Sequence, residues 1–155
     1  MLAVESVSNK VFHRLSEVYD LILERNLGSK PTYFFCKADR FGKPTYHVEV
    51  ELPRGLKFGK TVSSETGNTF SKVRFELTPI LRGKEIIGFK FVRDHYTVDR
   101  LPILGYVPVR EYYVWIITKT PLKLKIKYGL TYSTEAKSIV DEELFNKLLS
   151  IVKEE

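Results

Sequence analysis

The chain has 155 residues, with 25 Lys and Arg against 19 Asp and Glu, a formal charge of +6, and 43% hydrophobic and 13% aromatic content. That apolar content excludes a disordered chain, and the length suits a single domain over residues 1–155 that buries about 70% of its unfolded surface without a metal or disulfide staple. No apolar run approaches the roughly 20 residues of a membrane span, and the one cysteine, Cys36 beside Phe34 and Phe35, reads as a small buried hydrophobe in a reducing compartment, so the sequence predicts a soluble cytoplasmic protein.

Taken in chain order, Val11, Phe12, Leu15, Val18, Tyr19, Ile22 and Leu23 recur at helical spacing. They predict an amphipathic helix with Ser8 as N-cap and Gly28 as stop. A short strand is expected over Thr32–Ala38. Pro44–Leu52 then alternates, with Tyr46, Val48, Val50 and Leu52 on the core side and Thr45, His47, Glu49 and Glu51 on the wet side. Phe70–Thr78 repeats the pattern, with Val73, Phe75 and Leu77 opposite Lys72, Arg74 and Glu76, and so does Leu122–Leu130. Glu85–Val98 and Arg110–Lys119 read as less regular strands. The latter is apolar on both sides from Tyr112 to Ile117, which places it centrally. Turn residues mark Asp39–Pro44, Pro53–Gly59, Glu65–Asn68, Arg82-Gly83 and Thr120-Pro121, and Leu101–Pro108 reads as an irregular excursion. A second amphipathic helix begins near Ser138 or Asp141, with Leu144, Leu148 and Val152 in its buried stripe. The predicted architecture is α+β: an N-terminal helix, a six- or seven-stranded mainly antiparallel sheet and a C-terminal helix, with both helices on one sheet face and the other face open.

Three groups of residues carry candidate chemistry. Glu49 and Glu51 point the same way from one strand and offer hard oxygen ligands for Mg²⁺ or Mn²⁺; the plainer alternative is cross-strand pairing with neighbouring Lys and Arg. The segment Lys84, Glu85, Lys90, Arg93, Asp94, His95, Asp99, Arg100 mixes acid, base and cation as a metal-dependent phosphodiester-cleaving site requires. Within it Glu85 and His95 are the candidate catalytic pair, and Glu85 and Asp94 an alternative metal pair. Strand alternation opposes full convergence of the set without a bulge. The third group is the duplicated Arg40-Phe41-Gly42-Lys43 and Lys57-Phe58-Gly59-Lys60, in which cations flank an aromatic residue able to stack on an unpaired base or to fold back on the core. No zinc-ligand spacing, phosphate-binding glycine loop or nucleophile elbow occurs.

The Glu49-Val50-Glu51 strand resembles the E-x-E strands of the triphosphate tunnel hydrolases, and alternating Lys123, Lys125 and Lys127 is similar to their phosphate-binding strands. The likeness covers about three strands, and it implies metal-dependent phosphohydrolase chemistry. This sequence departs from that pattern in having one acidic strand and a helix ahead of the sheet. Absence of glutamine and the abundance of Lys, Tyr and Ile give a composition similar to that of small orphan proteins of hyperthermophilic archaea and their filamentous or rod-shaped viruses, among which nucleases occur.

Charge is divided unevenly along the chain: residues 1–28 carry −1, residues 29–134 carry +10 and residues 135–155 carry −3. A basic strand region between acidic helices is the footprint expected for DNA or RNA, contacted mainly through phosphate. Arg40, Lys43, Lys57, Lys60, Arg74, Lys90, Arg93, Lys123, Lys125 and Lys127 are its candidate binding residues. The sequence thus predicts a small nucleic-acid-binding or nucleic-acid-processing protein, without a membrane partner. The alternatives are a metal-dependent nuclease or phosphohydrolase, and an assembly module that binds an acidic partner or pairs open sheet edges as a homodimer.

Overall fold

A computed structural model describes residues 2–25, 48–67, 71–101, 103, 105–128 and 132–153. Its elements are α1 (Leu2–Glu24), β1 (Val48–Glu51), β2 (Leu56–Phe58), β3 (Val62–Gly67), β4 (Ser71–Arg82), β5 (Glu85–Leu101), β6 (Gly105–Thr118), β7 (Lys123–Tyr128), β8 (Tyr132–Lys137), β9 (Ile139–Val140) and α2 (Glu142–Lys153). The α+β class holds, with a helix at each end of the strand region. The strands form two sheets: a six-stranded one in which β2 and β3 share one flank of β4, followed by β5, β6 and β9, and a three-stranded one in the order β1-β7-β8.

Alternation on the long strands builds two cores. Phe75 and Leu77 of β4, Phe89 and Phe91 of β5, and Trp115 and Ile117 of β6 bury one face against Val11, Leu15, Val18 and Ile22 of α1 and Leu144, Phe145, Leu148 and Ile151 of α2. Both helices therefore lie on one face, as the sequence predicts. Rings stack across the central strands, with Phe75 and Phe91 5.5 Å apart and Phe91 and Trp115 5.7 Å apart. On the opposite face Ile80, Val92, Val114 and Ile116 pack with Leu124 and Ile126 of β7 and partly buried Val50 and Leu52. That face is not open, because the small sheet covers its central part. The apolar positions of β6 on both sides, noted in the sequence, are the consequence of this sandwich.

Several boundaries differ from the sequence expectation. Ser8 lies inside α1, so it does not cap it, whereas Asp141 caps α2 by accepting the Leu144 N–H on Oδ1 at 3.0 Å. Segments expected as turns are extended: Leu56–Phe58 pairs with the end of β4, and Glu65–Gly67 continues β3. Gly105–Pro108, expected to be irregular, is the return arm of the β5–β6 hairpin. The gap between β2 and β3 has a local cause. Pro79, in the middle of β4, accepts the Gly59 N–H at 2.7 Å but has no N–H to give on that side, so the neighbouring strand breaks there. The strand Thr32–Ala38, Cys36, residues 44–47 of the second predicted strand and Gly28 lie outside the described residues. No described helix is long and apolar enough to cross a membrane.

Candidate functional site

Cross-strand register brings cations from distant parts of the chain to one end of the molecule. There β1 passes to β2, the β4–β5 hairpin turns at Gly83, with φ of 63°, and β6 passes to β7. Leu56 pairs with Arg82 and Lys57 follows on the flank of the sheet, while Arg54 lies in the turn just ahead, closed by the Leu56 N–H on the Pro53 carbonyl at 3.1 Å. Glu51 pairs with Lys125 and Lys123 pairs with Lys137, which places Lys123 and Lys137 where β1 ends. Arg54, Lys57, Lys60, Arg82, Lys84, Lys123 and Lys137 are all exposed, with Glu51 and Glu85 the carboxylates these strands bring among them. Among the described residues, Arg54, Lys57, Lys60, Arg82, Lys84 and Lys123 form no ion pair.

The passage from β6 to β7 is pinned by hydroxyls. Thr118 Oγ donates to the Thr120 carbonyl at 2.6 Å, Ser138 Oγ lies 2.7 Å from Thr118 Oγ, and Ser138 Oγ accepts the Leu122 N–H at 2.9 Å. This cationic end is held by backbone ladders and a hydroxyl network, with Lys57, Arg82, Lys123 and Lys137 in strands and Arg54, Lys60 and Lys84 on short connections.

The predicted binding residues fall into separate groups. Lys57 and Lys123 belong to the cationic end, and Lys60 stands on its flank, level with Pro79 and about 10 Å short of the hairpin. Lys125 and Lys127 project from the small sheet, but they pair in register with Glu51 and Glu49, the cross-strand arrangement that was the plainer reading of the E-x-E strand. Arg74 is occupied by Glu76 at 3.0 Å and Asp94 at 3.1 Å. Arg93 lies on the helix-covered face with its guanidinium 4.6 Å from the Tyr19 ring. Lys90 is half-buried with Nζ 4.8 Å from the Phe58 ring, and burial pushes its ammonium below the usual lysine range while Glu76 opposes that shift. Phe58 packs against the second core and is not presented for base stacking. Arg40 and Lys43 lie outside the described residues. Sequence reasoning did not place Arg54, Arg82, Lys84 and Lys137 in the site. The signal was present for Lys84, in its charged segment, but the meeting of these four depends on strand pairing.

The candidate metal and catalytic pairs are separated. Glu85 opens β5 and His95 lies ten residues along it, so at about 3.3 Å per residue they stand roughly 33 Å apart. Glu85 and Asp94 are nearly as far apart along the same strand, which rules out a shared ion. Asp94 is instead a buried partner of Arg74, its side chain 4% exposed. No group of three or more His, Cys, Asp or Glu able to hold a metal occurs among the described residues. Glu49 and Glu51 share the outward side of β1 with only lysines opposite, which fits ion pairing better than metal binding. His95 has other neighbours: Ser71 Oγ is 3.3 Å from Nε2, and Glu111 Oε2 is 3.8 Å from Nδ1.

A depression between α1 and α2 is lined by Arg14, Glu142, Glu143, Asn146, Lys147 and Ser150. Arg14 donates to Ser150 Oγ across it at 2.7 Å, and the mixed charge does not extend the cationic surface. The acidic start of α2 is tied back to α1 by Arg25, which bonds Asp141 and Glu143. Positive and negative charge thus occupy different layers of this end, with the acids on the helices and the cations on the strands. The chain matches no known family, no curated protein and no solved structure.

Proposed function

We propose that this protein binds nucleic acid through the cationic end formed by Arg54, Lys57, Lys60, Arg82, Lys84, Lys123 and Lys137. The observation that carries the reading is the gathering of these exposed side chains from separate strand ends and connections, with few carboxylates among them. Cations on backbone-anchored strand ends and turns suit the spaced charges of a phosphate backbone, and they favour contact without base reading, because Phe58 is turned inward. The ligand is therefore DNA or RNA bound with little sequence preference.

Fluorescence anisotropy with labelled duplex DNA and single-stranded RNA tests this. The expected result is binding at about 50 mM salt with log Kd rising linearly against log salt, at a slope of about 3 to 6 for the duplex. Absence of binding at that salt, or affinity indifferent to salt, overturns the proposal. With Mg²⁺ or Mn²⁺ added, the nucleic acid is expected to survive, because Glu85 and His95 do not meet; cleavage would restore the metal-dependent nuclease alternative.

A further inference from the structure

The far end of the helix-covered face carries a second arrangement that the binding function does not use. We infer that Ser71, His95 and Glu111 form a nucleophilic relay whose substrates are short-chain carboxylic esters. The three residues stand on adjacent strands, Ser71 on β4, His95 on β5 and Glu111 on β6. His95 pairs directly with Val73 and Glu111, while Ser71 pairs with Thr97, one step further along the same face. Alternation therefore sends all three side chains to one side of the sheet. The imidazole lies between the other two, with Nε2 3.3 Å from Ser71 Oγ and Nδ1 3.8 Å from Glu111 Oε2.

Each ring nitrogen meets a different group, in the order nucleophile, base, orienting carboxylate. The tautomer with Nδ1–H toward Glu111 leaves Nε2 to accept the serine hydroxyl. At 3.8 Å the Glu111 carboxylate stands near Nδ1 but outside hydrogen-bond distance, and the relay requires this spacing to shorten during the reaction. Neighbouring charges are already engaged: Arg93 with the Tyr19 ring, Lys72 with Glu65, and Arg74 with Glu76 and Asp94. His95 is half-buried, whereas Ser71 is exposed at the strand end. Partly buried Val73, between Ser71 and the core, offers an apolar floor for a small acyl chain.

In the reaction, Ser71 Oγ bonds to the ester carbonyl carbon and its proton passes to His95 Nε2, while Glu111 steadies the resulting imidazolium. Collapse of the adduct breaks the bond to the leaving alcohol oxygen, which takes that proton. Water then adds to the acyl-serine by the same route, releasing the carboxylic acid and restoring Ser71. Nothing beyond ester and water is consumed.

Treatment of the full-length protein with a fluorophosphonate probe, followed by peptide mass spectrometry, tests the relay, with p-nitrophenyl acetate hydrolysis alongside it. Labelling is expected at Ser71, with complete loss in Ser71→Ala and a fall of about a hundredfold in rate in His95→Gln. Glu111→Gln is expected to lower kcat for p-nitrophenyl acetate about tenfold with KM unchanged; a structural role alone would not confine the loss to kcat. Circular dichroism of each variant verifies the fold. No labelling, labelling at another residue, or an equal rate in folded His95→Gln overturns the inference.

Discussion

The two ends of the long strands use the same residue types in opposite ways. At the end where β4 turns into β5, cations stand exposed and, for the most part, unopposed. At the other end, roughly 30–35 Å away along β5, charges are matched across the sheet: Arg74 with Asp94 and Glu76, and Lys72 with Glu65. Register decides the difference. Strand β4 carries Lys72, Arg74 and Glu76 on one side, and β3 and β5 present Glu65 and Asp94 opposite them, so Coulomb attraction is satisfied inside the fold. At the first end Glu85 faces Arg82 and Glu51 faces Lys125, but the cations outnumber these carboxylates and their field projects into solvent.

The sharpest break of this contrast is Asp94→Ala. Its carboxylate is buried against Arg74, and its removal is expected to cost about 2–4 kcal/mol in urea denaturation. Lys84→Ala at the exposed end should change stability by less than about 0.5 kcal/mol. Equal costs would erase the distinction between the ends. Next in size, joint replacement of Arg54, Arg82 and Lys84 by alanine should weaken nucleic-acid binding roughly tenfold to a hundredfold at low salt and lower the salt slope by about 3. Joint replacement of Lys125 and Lys127 should do less, because each faces a glutamate; the reverse ranking would move the interface to the small sheet.

A smaller effect is expected at Gly88, where the hairpin starts toward the cationic end. A Cβ there would lie 2.6 Å from Thr118 Cγ2 and 3.0 Å from the Ile117 carbonyl oxygen, so Gly88→Ala should cost about 1–3 kcal/mol through overpacking. A neutral effect on thermal unfolding would show that β5 and β6 separate easily at this point. Lys90, midway between the ends, gives the smallest and most specific readout. Burial lowers its folded-state pKa, so the unfolded chain binds more protons between that lowered value and the ordinary 10.5, and stability gains as pH rises through this window. Lys90→Met should remove that gain and raise Tm at neutral pH; an unchanged alkaline profile would place the charge in water.

Much of the fold is legible in the residues. Period-two alternation marks Val73, Phe75 and Leu77 as core, helical spacing marks Val11, Leu15, Val18 and Ile22, and Asp141 is a readable cap. The division into two sheets is not legible in this way. The Leu122–Leu130 segment alternates like the other strands, and only its burial of Leu124 and Ile126 against Ile80, Val92, Val114 and Ile116 shows that it covers the large sheet instead of joining it. Extended pairing of Leu56–Phe58 was masked by Pro53 and Gly59, because the turn residues flank a strand too short for its own period to register. At the cationic end, Lys57, Lys60 and Lys123 stand out in the local pattern. Arg54, Arg82 and Lys137 do not, since each is an ordinary charged residue until its partners in space are known.

The sequence by itself determined the α+β class, the amphipathic faces of both helices and the separation of a basic strand region from acidic ends, because composition and periodicity are local properties of the chain. Tertiary structure alone decided which cations meet solvent together and which are matched to a carboxylate. It also decided that Glu85 and His95 stand far apart while His95 lies between Ser71 and Glu111. Pairings such as β1 with β7 and β6 with β9 join segments distant in sequence, and their register is fixed by apolar packing on both faces of the central strands, which no local pattern encodes.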